Sequence, residues 1–132
     1  MTDKLDEQSR NDLILYRKER SANALKEASL MFQNGFFNAS VNRLYYACYY
    51  AASALMLKYN LSATSHSGIK TMLGLHFVSK GLISLNGGKT FSTLFDKRQS
   101  SDYEDFTYCD TETYTELQPK AENFIKEVEG LL

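Results

Sequence analysis

Val41-Asn42-Arg43-Leu44-Tyr45-Tyr46-Ala47-Cys48-Tyr49-Tyr50-Ala51-Ala52-Ser53-Ala54-Leu55-Met56 is the stretch that decides the fold class. Val41, Leu44, Cys48, Ala51 and Leu55 recur in alternating steps of three and four, which is one apolar stripe of an α-helix. Tyr45, Tyr49, Ala52, Met56 and Tyr59 make a second stripe beside it. Only a narrow polar strip remains: Asn42, Arg43, Tyr46, Tyr50 and Ser53. A helix apolar over that much of its circumference belongs inside a bundle or between two subunits. The spacing predicts this helix over about residues 37 to 59.

Working outward, Ser9, Asn11 and Asp12 offer caps for a helix over about 9 to 33, with Leu25, Ala28 and Phe32 at helical spacing and Gly35 as its left-handed stop. A third helix opens at Thr64 or Ser65 and runs to about Ser79, with Ile69, Met72, Leu73 and His76 facing inward. Asn86-Gly87-Gly88 reads as a turn, and a fourth helix follows from Thr90 to about Asp105. The fifth runs from about Thr113 to Leu131 on Leu117, Ala121, Phe124, Val128 and Leu131, with Pro119 kinking it or marking its true start. The expectation is all-α: one domain over residues 1 to 132, built as an up-and-down bundle of about five helices.

Composition agrees. A chain of 132 residues, 43% hydrophobic and 23% charged, is not disordered, and its single Pro and seven Gly argue against a many-turned β-sandwich. Cys48 and Cys109 lie too far apart to form a metal-ligand pair, and two free thiols suit a reducing compartment. The first residues are acidic rather than apolar, and the longest apolar run, Ala47 to Leu57, is too short for a bilayer. A cytoplasmic protein with no membrane contact, no metal and no cofactor is expected.

Net charge is −1, so no overall field draws in nucleic acid. The distribution is uneven all the same. From Asn34 to Phe95 there is no acid but five bases, Arg43, Lys58, Lys70, Lys80 and Lys89; from Asp96 onward there are ten acids and four bases. Either the middle of the chain presents a positive face to a polyanion, or a buried helix simply leaves no room for carboxylates.

Phosphate-cradling glycine loops, metal-spaced Cys/His clusters and nucleophile elbows are missing. Gly87-Gly88-Lys89-Thr90 lacks the earlier glycine and the preceding strand of a P-loop, so a turn and helix start explain it. In the fourth helix Phe91, Phe95, Arg98 and Asp102 share a face, so an apolar stripe turns into an Arg and an Asp, with Tyr103 alongside. That arrangement is a polar pocket taking phosphate through Arg98, or a structural ion pair tying this helix to Asn42 or Tyr46 of the second. Arg43 and Tyr46 lie one turn apart and suit either unpaired bases or a packed seam. His66 opens the third helix, where a solvated role is expected unless the fold brings Arg98 beside it.

Asn42-Arg43-Leu44-Tyr45-Tyr46-Ala47, Thr64-Ser65-His66-Ser67-Gly68 and Arg98-Gln99-Ser100-Ser101-Asp102-Tyr103 together resemble, in order and spacing, a prokaryotic branch of the HEPN superfamily. That resemblance implies a helical bundle dimerising through its motif-bearing helices, and either a metal-independent ribonuclease or toxin, or the partner of a minimal nucleotidyltransferase. The family's ribonuclease signature is an Arg followed after four to six residues by a His. Arg98 matches it, but after four intervening residues comes Tyr103, whose ordinary pKa near 10 makes it a poor base. The expected function is therefore binding of a nucleotide, RNA or a nucleotidyltransferase within a toxin–antitoxin pair, by a homodimer, through Arg98, Asp102, Tyr103, Asn42, Arg43, Tyr46 and His66. The alternative is a ribonuclease using Arg98, with Tyr103 or His66 moving the proton.

Overall fold

The computed structural model describes residues 6 to 63, 65 to 103 and 109 to 132, with the backbone alone for 99 to 103. Five α-helices follow one another: α1 Glu7–Gln33, α2 Phe37–Lys58, α3 His66–Leu73, α4 Leu85–Tyr103 and α5 Thr111–Glu129, with a π-helical turn over Gly74–Val78. Among the described residues there is no strand, and no helix is long and apolar enough to cross a membrane. The all-α bundle expected from the apolar periodicity is what forms.

Local chemistry sets most of the helix ends. Asp6 caps α1 by accepting from the Ser9 amide at 2.6 Å. At the other end Gly35 takes φ +81, and the Gly35 and Phe36 amides return to the Phe32 and Met31 carbonyls, a Schellman closure. Asn60 repeats the device after α2 with φ 56, its amide on Leu57 O and that of Leu61 on Met56 O. Ser65 caps α3 through the Gly68 amide at 2.9 Å, whereas the competing cap, Thr64, lies outside the described residues. Asp110 and Thr113 form a reciprocal capping box at the start of α5.

Helix α2 is the spine, packed on α1, α4 and α5. Leu44, Tyr45, Ala47, Cys48, Ala52, Ala54 and Leu55 are all fully buried, which confirms the wide apolar arc. Small residues let α1 approach closely: Ala24 and Ala28 are fully buried, and the Ser21 hydroxyl reaches the Ala47 carbonyl at 2.7 Å. Phe91 of α4 and Phe124 of α5 close the other side, 5.6 Å between ring centroids.

Several expectations are corrected. Asn86-Gly87-Gly88 is not a turn; it lies in the first turn of α4, which starts at Leu85 rather than Thr90. The glycines are there for close approach, because a Cβ on Gly88 would meet Val78 Cγ2 at 2.9 Å and one on Gly87 would meet Ile83 Cγ2 at 2.9 Å. The third helix changes to a π turn at Gly74, and His76 within it is half-buried rather than in the core, whereas Met72 packs against the core as expected. Tyr59 belongs to no buried stripe, since at the end of α2 it is 42% exposed. Pro119 sits inside α5 on its exposed side and does not begin it.

Candidate functional site

The polar strip of α2 meets two different neighbours. Toward α1 it forms a ladder: Glu27 with Arg43, 3.4 Å apart, then Arg20 Nη2 donating to the Tyr50 hydroxyl at 2.7 Å, then Arg17 donating to the Ser53 hydroxyl. Each step back along α1 answers an equal step forward along α2, as two antiparallel helices require. The pairing explains how an acid-free stretch is neutralised. Arg43 takes Glu27 from before the stretch, and Lys70 lies 3.9 Å from Asp96, the first acid after it. For these two bases the positive-face reading gives way to local compensation.

Toward α3 and α4 the strip opens onto an aromatic notch. The Tyr46 ring is half-buried, with the Arg43 guanidinium 5.1 Å and the Arg98 guanidinium 6.0 Å from its centroid. Two cations against one ring make cation–π contacts that strengthen as water is excluded. His66 stands edge-on to the same ring at 5.9 Å and lies flat on Tyr49 at 4.2 Å and 15°. Its Nδ1 is 2.7 Å from the Tyr45 hydroxyl.

His66 is therefore not the solvated helix-start residue expected. Ser65 caps α3 and makes His66 its first residue, and α3 docks against α2 so that the imidazole enters the tyrosine cluster. The fold thus brings His66 and Arg98 to one ring, though they come from separate helices. Burial pushes the Tyr45 hydroxyl well above its ordinary acidity range, and the Arg98 charge pulls it back in part. Arg43 Nε is enclosed with no hydrogen-bond partner among the described residues.

Of the seven residues singled out from sequence, Arg43, Tyr46, His66 and Arg98 come together, and Asn42 is half-buried one turn before Tyr46. The side chains of Asp102 and Tyr103, and with them the Arg98–Asp102 pair, lie outside what is described. Sequence reasoning missed Tyr45 and Tyr49, which were placed in the core stripe; both do pack there, but each also presents an edge or face to His66. It also missed Arg17, Arg20 and Glu27, whose signal was polar residues on the α1 face that carries Ala24 and Ala28. Two grooves, of about 420 and 770 Å³, lie along α4, and neither is lined by Tyr46, His66 or Arg98. Among the described residues no cluster of His, Cys, Asp or Glu could hold a metal ion.

The arrangement can stack a planar group against tyrosine and imidazole while a guanidinium holds an anion, which is what a nucleotide or an unpaired RNA base with its phosphate asks for. A family model described as HEPN domain matches residues 14 to 131. The chain is 32% identical over 120 residues to a UPF0332 protein of Thermotoga maritima, covering 91% of each. It is also 35% identical over 79 residues to a protein named as a candidate toxin in Methanocaldococcus jannaschii, covering 60% of this chain and 59% of that one. A second candidate toxin of the same organism is 23% identical over 86 residues, 65% and 58% of the two chains.

Proposed function

The chain belongs to the HEPN domain family, and from that premise we propose that it is a non-catalytic binding module of a toxin–antitoxin pair, taking the phosphate and base of a nucleotide or RNA at the Tyr46–His66–Arg98 notch. The observation that carries this reading is the meeting of a guanidinium and an imidazole at the Tyr46 ring, beside a second ring, Tyr49, on which the imidazole is stacked. Arg98 supplies charge and directed donors, and the rings supply stacking area. Binding is preferred to cleavage because the position that carries the family's histidine after Arg98 holds Tyr103.

Two copies pairing through the motif-bearing helices, and a minimal nucleotidyltransferase as partner, belong to the same proposal. Titration of the purified chain with fluorescent single-stranded RNA and with adenosine monophosphate tests it. Arg98→Ala is expected to lose at least tenfold in affinity, about 1.4 kcal/mol, with an unchanged melting temperature. Unfolding of that variant with no loss specific to binding would make Arg98 structural.

One observation favours a second reading, a metal-independent ribonuclease: His66 and Arg98, a proton carrier and a phosphate-steadying group of the kind in-line attack by a 2′-hydroxyl needs, both border the Tyr46 ring. Incubation with mixed RNA in the presence of a chelator separates the readings. Cleavage abolished by both Arg98→Ala and His66→Ala establishes the enzyme, and intact RNA removes it.

A further inference from the structure

The core does not account for the leucines between α3 and α4. Leu75, Leu82 and Leu85 are 60, 44 and 71% exposed, although Leu73, Phe77 and Ile83 beside them are buried. Leu85 lines the groove of about 420 Å³ that α3 and its π turn form with α4. Two contacts set how the walls face each other: Lys70 lies 3.9 Å from Asp96, and Gly88 backs onto Val78, whose Cγ2 a Cβ would meet at 2.9 Å. The walls therefore run antiparallel, with the Lys70–Asp96 pair at one end and Leu85 at the other. From Leu85 to Asp96 the fourth helix rises about 16 Å at 1.5 Å per residue, so the groove is three helical turns long. Its floor is apolar, made by Leu73, Val78 and Phe91. At Gly74 the wall has no side chain, and a Cβ there would meet nothing within 4 Å.

Charge selects the chemistry of an occupant. Apart from Asp96, both walls come from the acid-free stretch, and Asp96 already has Lys70 beside it. Lys89 on the α4 wall is exposed and has no ion pair among the described residues; nor has Lys80, in the connection between the walls. Carboxylates brought to this rim complement it. The occupant's backbone form follows from what the groove lacks. Among the described residues there is no strand edge to extend, and Phe91, 1% exposed, offers none of the open aromatic wall that polyproline segments need. A helix laying one apolar face between two others is the remaining mode, anchored at positions i, i+3 or i+4, and i+7. We propose that this groove docks an amphipathic helix of a partner protein, whose leucine-type side chains fill the space over Gly74 and pack on Leu85 while flanking carboxylates meet Lys89. The surface is separate from the Tyr46 notch and goes beyond the reading of that notch.

Methyl spectra of the full chain, isotope-labelled at Leu and Val, test this with three synthetic helical peptides as probes. One carries leucines along a single face and glutamates elsewhere; the second scrambles that composition so that no face forms; the third replaces every glutamate of the first with lysine. Saturable shifts at Leu73, Val78 and Leu85 are expected with the glutamate peptide, and none of comparable size with the other two. Gly74→Leu fills the groove from a position with room for the side chain, and Leu85→Ser removes an anchor too exposed to support the fold. Each should weaken the glutamate peptide about tenfold, the worth of one buried leucine. Lys89→Glu should weaken it roughly threefold, as a surface charge pair does, and strengthen the lysine peptide. Shifts centred elsewhere, an equal response to the scrambled or lysine peptide, or unaltered affinity in Leu85→Ser overturns the proposal. Should Gly74→Leu fail to fold, Leu85→Ser decides.

A second copy of this chain is the rival occupant, because α1 exposes Leu15 and Tyr16 on one face with Asp12 and Glu19. Seating α1 of one copy in the groove of the next joins unlike surfaces, which propagates as a filament unless it closes into a ring. Sedimentation over a range of concentrations is expected to show no assembly that Leu85→Ser and Leu15→Ser both dissolve. An assembly that both variants dissolve makes the groove a contact between copies and overturns the partner-helix assignment. Leu85→Ser is expected to leave the affinity for adenosine monophosphate unchanged, so the groove and the notch stand or fall separately.

Discussion

The carboxylate of Glu127 on α5 sits at the N-terminus of α4, accepting from the Ser84 amide at 2.8 Å through Oε1 and from the Ser84 hydroxyl at 3.0 Å through Oε2. Ser84 in turn accepts from the Gly87 amide at 2.9 Å, capping the helix. A protein carboxylate is thus held at the positive end of the α4 dipole through the capping residue Ser84. Glu127→Ala is expected to lower stability by about 1–2 kcal/mol, through the lost cap and charge–dipole interaction. Denaturant unfolding of both proteins checks the figure, and an unchanged midpoint refutes the account.

Gly87→Ala should destabilise, although alanine normally improves a helix by about 1 kcal/mol over glycine. The added Cβ would lie 2.6 Å from Glu127 Oε2 and 2.9 Å from Ile83 Cγ2, so it displaces the very carboxylate that caps the helix. A loss of about 1–3 kcal/mol is expected from overpacking, read as a lowered melting temperature.

Ser21 and Ala47 define how closely α1 lies on α2. Ser21→Val replaces a hydroxyl bonded to the Ala47 carbonyl with a larger group at a site that is 3% exposed. The expected cost is about 1–3 kcal/mol. By contrast, Glu27→Gln, at a half-exposed ion pair with Arg43, should change stability by less than about 1 kcal/mol. Chemical denaturation of the two variants in parallel makes the comparison.

The Asp110 carboxyl is held below its ordinary range, first by the Thr113 amide and then by the Thr113 hydroxyl. A carboxyl that is more acidic folded than unfolded adds stability above its unfolded pKa, near 4, and surrenders it as pH falls through the lower folded value. Stability should therefore drop on acidification from pH 5 toward pH 2, and Asp110→Asn should flatten that part of the profile. Unfolding midpoints across this range decide the point.

Cys48 is fully buried, and burial pushes its thiol far up from the ordinary range; Cys109 is buried and shifted the same way. Neither thiol should react with an aromatic disulfide reagent at neutral pH while the chain is folded. Cys48 should then label only at the rate of opening, accelerating with denaturant. Immediate labelling of Cys48 would contradict the packing of α2.

Much of the fold was legible because α2 advertises itself. Leu44, Cys48 and Leu55 at helical spacing can be satisfied only by burial on several sides, and the stop at Gly35 follows from local backbone geometry, whereas the left-handed Asn60 that closes α2 was not read from the sequence. The start of α4 was misread because Gly87 and Gly88 suggest a turn when judged by local propensity. Their reason is Val78 and Glu127, remote in sequence. In the site, Arg98, Tyr46 and Arg43 stood out as polar groups beside apolar stripes, whereas Tyr45 looked like any core tyrosine.

The order of residues by itself determined the helices and which face of α2 must be dry, since both follow from interactions within a few turns and from the cost of leaving apolar surface in water. Only the tertiary structure decided that His66 leaves solvent to stack on Tyr49 and meet the Tyr45 hydroxyl, and that α4 brings Arg98 to the same ring from another helix. Hydrogen bonds and ring contacts act over a few ångströms in space, and residues far apart along the chain come within that range only after the helices have packed.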